Sequence, residues 1–328
     1  MRARRIAVAM TMLFMVSCSS STSPAPSPKS ITGRSPVRSA ADLNCSLPVR
    51  VGEKYGFVDF PSGRFRVDTS APSPQQNSMG YLYAHGARRW VPVSYSFAEY
   101  QLSPDGTEMV AFEPVTGSAR FSSAISLIDL RTSKSRHLAS LPGPGVRILG
   151  YLPDGIYVYG GSIYRVDPAT SKVTEIKPDI LNATAGGSFF WVTSAYAWSS
   201  LIAGPNQGDM DSVTSISLHD GSVTTWYTAP ATRSVSVLGF VAPDKPLVAE
   251  YNTEPYDRMT GVSFFLLTGP GASEKLSFDP SIIAWGVTDS FGVWLASPGH
   301  LWLYDSAGLF SMASVHADFV GIGGGFCR

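Results

Sequence analysis

From Cys45 to the last residue, apolar and polar positions alternate or fall into short runs, and Gly, Pro, Asp, Asn and Ser bound each run. Alternation with a period of two gives a strand one inward and one outward face. No stretch keeps the three-to-four spacing of an amphipathic helix, so the pattern predicts an all-β domain. The 14 Tyr, 17 Phe and 7 Trp of the chain suit pleated, half-buried surfaces. Two kinds of hairpin recur. One pairs alternating strands across an acidic turn: "SLIDLRTSKSRHLA" (126–139), "SIYRVDPATSKVTEI" (162–176), "SISLHDGSVTTWY" (215–227) and "HLWLYDSAGLFSMA" (300–313). "VSFFLLTGPGASEKLSF" (262–278) and "GYLYAHGARRWVPV" (80–93) fit the same plan with different turns. The other kind has a tighter turn, as in "EYQLSPDGTEMVAF" (99–112), "LGYLPDGIYVYG" (149–160) and "LGFVAPDKPLVAEY" (238–251).

The two kinds alternate along the chain. Pro104, Pro153 and Pro243 stand 49 and 90 residues apart, which with one intervening copy gives a unit of about 45 residues, the length of a four-stranded propeller blade. Pairing the hairpins predicts a single β-propeller of six four-stranded blades, at 55–94, 98–140, 146–177, 188–228, 235–278 and 282–314. Two strands remain, "CSLPVRV" (45–51) and "ADFVGIGGGFC" (317–327). A propeller closes its ring to remove the last sheet edges, and these N- and C-terminal strands are the pieces closure would use. A seventh blade built from both ends is the alternative count. The glycines of 321–325 read as an inner strand at the crowded axis. They do not read as a phosphate loop, since no helix follows them.

The segment "LSPDGTEMVAFEPVTGSARFSSAISLIDLRTSKSRHLAS" (102–140) resembles the WD-like repeats of TolB-type bacterial propellers, in which an SPDG turn opens the second strand. "CSLPV", "GFVDFPSGRF", "RRWVPV" and "GGGFC" look like exported bacterial propeller proteins. The resemblance implies architecture and no chemistry. In the turns, proline presets φ, aspartate bonds its own backbone and glycine accepts a positive φ. Pro104, Asp105, Gly106, Pro153, Asp154, Gly155, Pro243 and Asp244 are therefore expected to form turns and not to catalyse.

The N-terminus changes the picture of where the domain works. "MRARR" is followed by the eleven-residue apolar stretch "IAVAMTMLFMV", which is too short to span a bilayer, and the two together read as a secretory signal over 1–17. "MVSC" resembles the lipobox of bacterial lipoproteins, which implies cleavage before Cys18 and a lipid on its thiol. An ordinary signal peptide is the alternative, with a secreted product. Residues 18–44 are rich in Ser, Pro and Ala and cannot bury enough apolar surface to fold. They are expected to tether a domain over 45–328 to the outer side of the cell membrane. In an oxidising compartment disulfides persist. Lipidation of Cys18 would leave Cys45 and Cys327, expected to pair; two buried free thiols are the alternative.

Charge narrows the partners. Lys plus Arg is 25 and Asp plus Glu is 25. Losing the signal removes Arg2, Arg4 and Arg5 and no acid, so the mature chain carries a net charge of −3. Nucleic acid binding needs clustered cations, so nucleic acid is not expected as a partner. The five histidines, His85, His137, His219, His300 and His316, show no metal-ligand spacing, and there is no Gly-x-Ser-x-Gly elbow. No metal and no cofactor are expected. Tyr251, Asn252, Glu254, Tyr256 and Asp257 make up the longest polar and aromatic insertion between strands, a candidate binding loop. The sequence thus predicts a monomeric, lipid-anchored binding or scaffold propeller that contacts an envelope protein, a glycan or a small ligand. The alternative is a propeller hydrolase or lactonase-like enzyme with acidic residues and a Ca²⁺ at the axis.

Overall fold

A computed structural model describes residues 37–73, 78–94, 100–114, 122–142, 146–177, 188–202, 210–230, 232–254, 258–278, 286–317, 320–323 and 326–328. Their strands form seven antiparallel sheets, six of four strands and one of two. The first sheet is ordered Val320–Ile322, Ser46–Val51, Lys54–Asp59, Arg64–Val67. The second pairs Ser78–Ala84 with Arg89–Ser94. Each of the other five is a simple up-and-down run of four consecutive strands, beginning at Tyr100, Arg147, Ser188, Arg233 and Gly286 respectively.

Each sheet packs on the next through its own apolar cluster. Tyr55 and Phe57 of the first sheet meet Tyr81 and Trp90 of the second, and Ala84 and Val91 of the second meet Met109 of the third. Val110 and Ile125 then face Ile148 and Val158, and Leu149 and Tyr157 face Ala197 and Ile216. Trp198 and Trp226 pack on Val235 and Val248, and Leu247 and Phe264 on Val293 and Leu295. Trp294, Leu301 and Leu303 of the seventh sheet share a cluster with Leu47, Val49, Val58 and Val320. Period-two alternation explains the arrangement, because the two faces of an inner strand serve two neighbours. Leu149 packs forward while Ile148 packs backward. Full burial of each such side chain contributes about 1.5–3 kcal/mol.

Two boundaries differ from the sequence reading. The segment 55–94, expected to be one blade, is divided between sheets. Lys54–Asp59 and Arg64–Val67 stay with Ser46–Val51 and Val320–Ile322, and Ser78–Ser94 forms the two-stranded sheet. The two strands left over at the chain ends supply the other half of the first sheet, and among the described residues the hairpin at 78–94 pairs with no further strand. The packed region also begins before Cys45. Val37 and Leu43 are buried against the seventh sheet, and the Val37 amide donates to Asp305 Oδ2 at 2.9 Å. Apolar residues are sparse over 37–44, and two of them suffice to dock it.

Candidate functional site

The chain ends meet at one edge of the first sheet. Cys45 and Cys327 form a disulfide with a Cα separation of 5.4 Å across 282 residues of sequence. Beside it the Ser46 amide donates to the Arg328 carbonyl at 2.9 Å, and the Gly323 amide donates to Pro48 at 2.9 Å. The segment from Gly323 onward also reaches three other sheets. The Tyr83 amide of the second donates to the Gly323 carbonyl at 2.9 Å. Cys327 N–H donates to Asp289 Oδ2 at 3.0 Å in the seventh. Arg328 Nη2 donates to the Pro104 carbonyl at 2.9 Å in the third.

Asp289 is the buried anchor of this junction. Besides Cys327, it accepts from the Trp294 indole N–H at 2.9 Å and from the Phe291 amide at 2.7 Å. Burial nevertheless pushes its carboxyl above the usual carboxylate range, and these donors only partly offset that cost.

Where the segment crosses the first strands of the second, third and seventh sheets, it walls a cavity of about 340 Å³. Leu82, Tyr83, Tyr100, Leu102, Val287 and Phe326 give it an apolar and aromatic body, and Gln101, Ser103, Thr288, His85 and Arg328 supply polar groups. Pro104 and Gly106 complete the lining from the third-sheet turn. Pockets of this size, mostly apolar with a few convergent polar groups, are the usual form of small-molecule sites. The His85 ring sits edge-on to Tyr83, with centroids 5.1 Å apart, and hydrogen-bonds the Phe326 backbone. Burial, and secondarily the Arg328 charge, lower its pKa, so it is a neutral imidazole at pH 7. Its Nε2 is buried without a hydrogen-bond partner among the described residues. Among the described residues the lining has no Asp or Glu side chain, and no group of three or more His, Cys, Asp and Glu suited to a metal ion occurs.

The residues singled out by sequence fall in different places. Asp105 holds its turn by accepting from Ser103 Oγ at 2.6 Å and the Thr107 amide at 3.0 Å, and Gly106 has φ +68°. A Cβ on Gly106 would come 2.9 Å from the Gly86 amide nitrogen, so the second- and third-sheet turns interlock only because both are glycine. Pro153, Asp154 and Gly155 turn between strands far from this cavity, and Asp154 accepts from the Tyr157 hydroxyl at 2.7 Å. Pro243 and Asp244 join Arg233–Ala242 to Lys245–Glu254, and the Pro243 carbonyl accepts from Thr193 Oγ1 at 2.9 Å.

The proposed loop at 251–257 is not an open loop at its start. Tyr251, Asn252 and Glu254 belong to the strand Lys245–Glu254, which pairs with Arg258–Gly269. Tyr251 is buried with its hydroxyl 3.0 Å from Ser236 Oγ, and the alternation of the extended hairpin turns it inward. Beside it Glu250 is buried, paired with Arg233 Nε at 2.6 Å and accepting from the Tyr227 hydroxyl. Burial first, and this hydrogen bond second, raise the Tyr227 pKa. Tyr256, Asp257 and Cys18 lie outside the described residues.

Sequence reading passed over most of the lining: Leu82, Tyr83, Tyr100, Gln101, Thr288, Phe326 and Arg328, with His85 noted only for lacking metal-ligand spacing. The one usable signal was alternation within "GYLYAH" and "EYQLS", which marks residues sharing a strand face and not which faces converge.

No protein-family model matches the sequence, and no curated protein sequence matches it. Solved structures similar to the chain include the β-propeller domain of the Trilobed protease from Pyrococcus furiosus, at 14% identity over 70% of this chain and 71% of that one with a TM-score of 0.44. Hydrazine synthase of Kuenenia stuttgartiensis is similar at 12% identity over 77% of this chain and 71% of that one, with a TM-score of 0.41. Prolyl oligopeptidase B from Galerina marginata is similar at 10% identity over 85% of this chain, with a TM-score of 0.48, and the chain spans 42% of that enzyme's length. The protein's own repeated four-stranded antiparallel sheets, each packed on the next in chain order, define the class to which it belongs: a β-propeller.

Proposed function

We propose that the protein is an exported, lipid-anchored binding propeller of seven blades, whose ligand site is the cavity beside the Cys45–Cys327 junction. Seven successive sheets joined by seven apolar clusters support the blade count. The antiparallel pairing of Val320–Ile322 with Ser46–Val51 supports closure of the ring by the two chain ends. The second blade then has two strands. The single observation that carries the binding reading is the composition of the cavity: aromatic and aliphatic walls, a neutral histidine with an unpartnered nitrogen, and an arginine.

Ligand-observed NMR with a library of small aromatic acids, sugars and sugar acids tests the cavity reading. Binders are expected, and Gln101→Trp, which fills the cavity from an inner strand, should displace them. Hits that survive this change would place the site elsewhere. Anchoring is a separate proposal that rests on the signal and on "MVSC". Cys18→Ser should move the protein from the membrane fraction to the soluble extracytoplasmic fraction, and unchanged membrane retention would contradict it.

A further inference from the structure

The turns at the cavity rim bring together arginines that are far apart in sequence. Arg131 Nε and Nη2 donate to the Gly86 carbonyl at 3.3 and 3.2 Å, from the third sheet to the second-sheet turn that carries His85. The Ala87 amide of that turn donates to Gly106 at 3.2 Å, and the Arg88 amide donates to His85 at 3.2 Å. Arg89 Nη1 lies 3.3 Å from Ser133 Oγ, beside Arg131 in the third-sheet turn. Arg328 reaches Pro104 on the other side of Gly106 and stacks over Phe326 at 5.3 Å.

Arg88, Arg89, Arg131 and Arg328 are all exposed at their side chains. The carboxylates among them are Asp105 and Asp129. Asp105 is engaged by Ser103 and Thr107, and Asp129 accepts from the Arg131 and Thr132 amides at 2.8 Å each. Four arginines thus lie on or against these turns, whose two aspartate side chains are occupied within their own turns. The charge of Arg328 reaches into the cavity, where it helps keep His85 neutral.

We infer that the cavity takes an anionic ring compound, its ring against Tyr83, Leu102 and Phe326 and its carboxylate or phosphate at Arg328, with Arg131 adding positive charge from the neighbouring turn. This rests on the reading of the cavity as the binding site. Guanidinium suits the role because its planar donors match the two oxygens of a carboxylate or phosphate. A neutral, buried imidazole offers its free nitrogen to a hydroxyl on the ring without adding charge.

Calorimetric titration of the full exported domain with two matched pairs separates charge from shape: phenyl phosphate against phenol, and D-glucuronate against D-glucose. At least one anion should bind about tenfold or more tightly than its neutral partner, and added salt should weaken it as expected for exposed cations. Arg328→Gln keeps a donor for Pro104 and should weaken the anion about tenfold. Arg131→Gln should weaken it less, and Arg165→Gln, on the fourth sheet, should leave it unchanged while removing the same charge. Equal binding of charged and neutral partners would overturn the anionic assignment and leave the cavity reading standing. The same holds if Arg165→Gln matches Arg328→Gln. Absence of binding by all four probes, with no change in the His85 ring signals, would overturn the inference. The library screen with Gln101→Trp then decides the cavity reading on its own.

Discussion

The first and fifth sheets both have four antiparallel strands, and they are assembled in opposite ways. The fifth is one continuous stretch, Ser188–Val192 through Val223–Thr228, each strand pairing with the one just before it in the chain. Within it the Trp226 indole donates to Ser215 Oγ at 2.8 Å, and the Trp198 and Trp226 rings meet at 5.0 Å. The first sheet instead joins Val320–Ile322 to Ser46–Val51, and a disulfide holds that junction across 282 residues. Local pairing costs little loop entropy, while pairing chain ends must overcome the closure of nearly the whole domain. The lesson is that the covalent bond sits where the entropy cost is greatest. That junction is also the one that walls the cavity.

The comparison can be broken at its covalent bond. Replacing Cys45 and Cys327 with serine together should cost about 5 kcal/mol on the loop-entropy account, read by denaturant unfolding of oxidised wild type against the double variant. A loss under about 1 kcal/mol would mean that the hydrogen bonds and apolar cluster suffice for closure. On the local side, Trp198→Ala should cost about 3–5 kcal/mol through the cavity it leaves between the fifth and sixth sheets, with the disulfide intact. An effect as small as that of a surface substitution would show that the fifth sheet does not depend on its tryptophan pair.

A smaller effect sharpens the contrast. Asp289→Asn replaces an acceptor of three N–H donors by a group that must turn its own NH₂ toward one of them. About 2 kcal/mol should be lost, and amide exchange at Cys327 should accelerate while the fifth sheet stays protected.

The smallest effect is a matter of pH. The Ser103 hydroxyl, chiefly, with the Thr107 amide and hydroxyl, holds the Asp105 carboxyl below its usual range. Its stabilisation is therefore present above the unfolded value of about 4 and is lost as pH falls through the lower folded value. Asp289 has the opposite sign, because burial raises its folded pKa. Its contribution is full below about 4 and fades as pH rises through that raised value. Asp105→Asn should flatten the acid limb of a stability–pH curve. An unchanged limb would mean that the turn does not depend on the charge.

Much of the fold was legible because strands announce themselves locally. The described parts of the hairpins at 99–112, 126–139, 149–160, 162–176 and 300–313 match strand–turn–strand units of the structure, because alternation and turn chemistry act within a few residues. The pairing of Cys45 with Cys327 was legible for another reason, since the chain has three cysteines and expecting a lipid on Cys18 leaves one pair. The count of sheets was not. Whether 78–94 completes the first sheet or stands alone depends on where Val320–Ile322 docks, and nothing within 78–94 records that. The cavity was hidden for the same reason. His85 and Arg328 are 243 positions apart and are neighbours only because closure carries the last residues across the second and third sheets. Of the candidate loop, Tyr251, Asn252 and Glu254 belong to the strand Lys245–Glu254, which a reading of turn signals alone did not reveal.

The central claim is that the junction of the chain ends holds the cavity wall as a unit separate from the local sheets. Amide hydrogen exchange before and after selective reduction of Cys45–Cys327 tests it most directly. The account predicts that exchange at Ser46, Tyr83 and Cys327 speeds up by about tenfold or more on reduction, as a local opening, while Ala197 and Ser215 in the fifth sheet keep their protection. Unchanged protection at Ser46, Tyr83 and Cys327, or equal acceleration at all five amides, would contradict it.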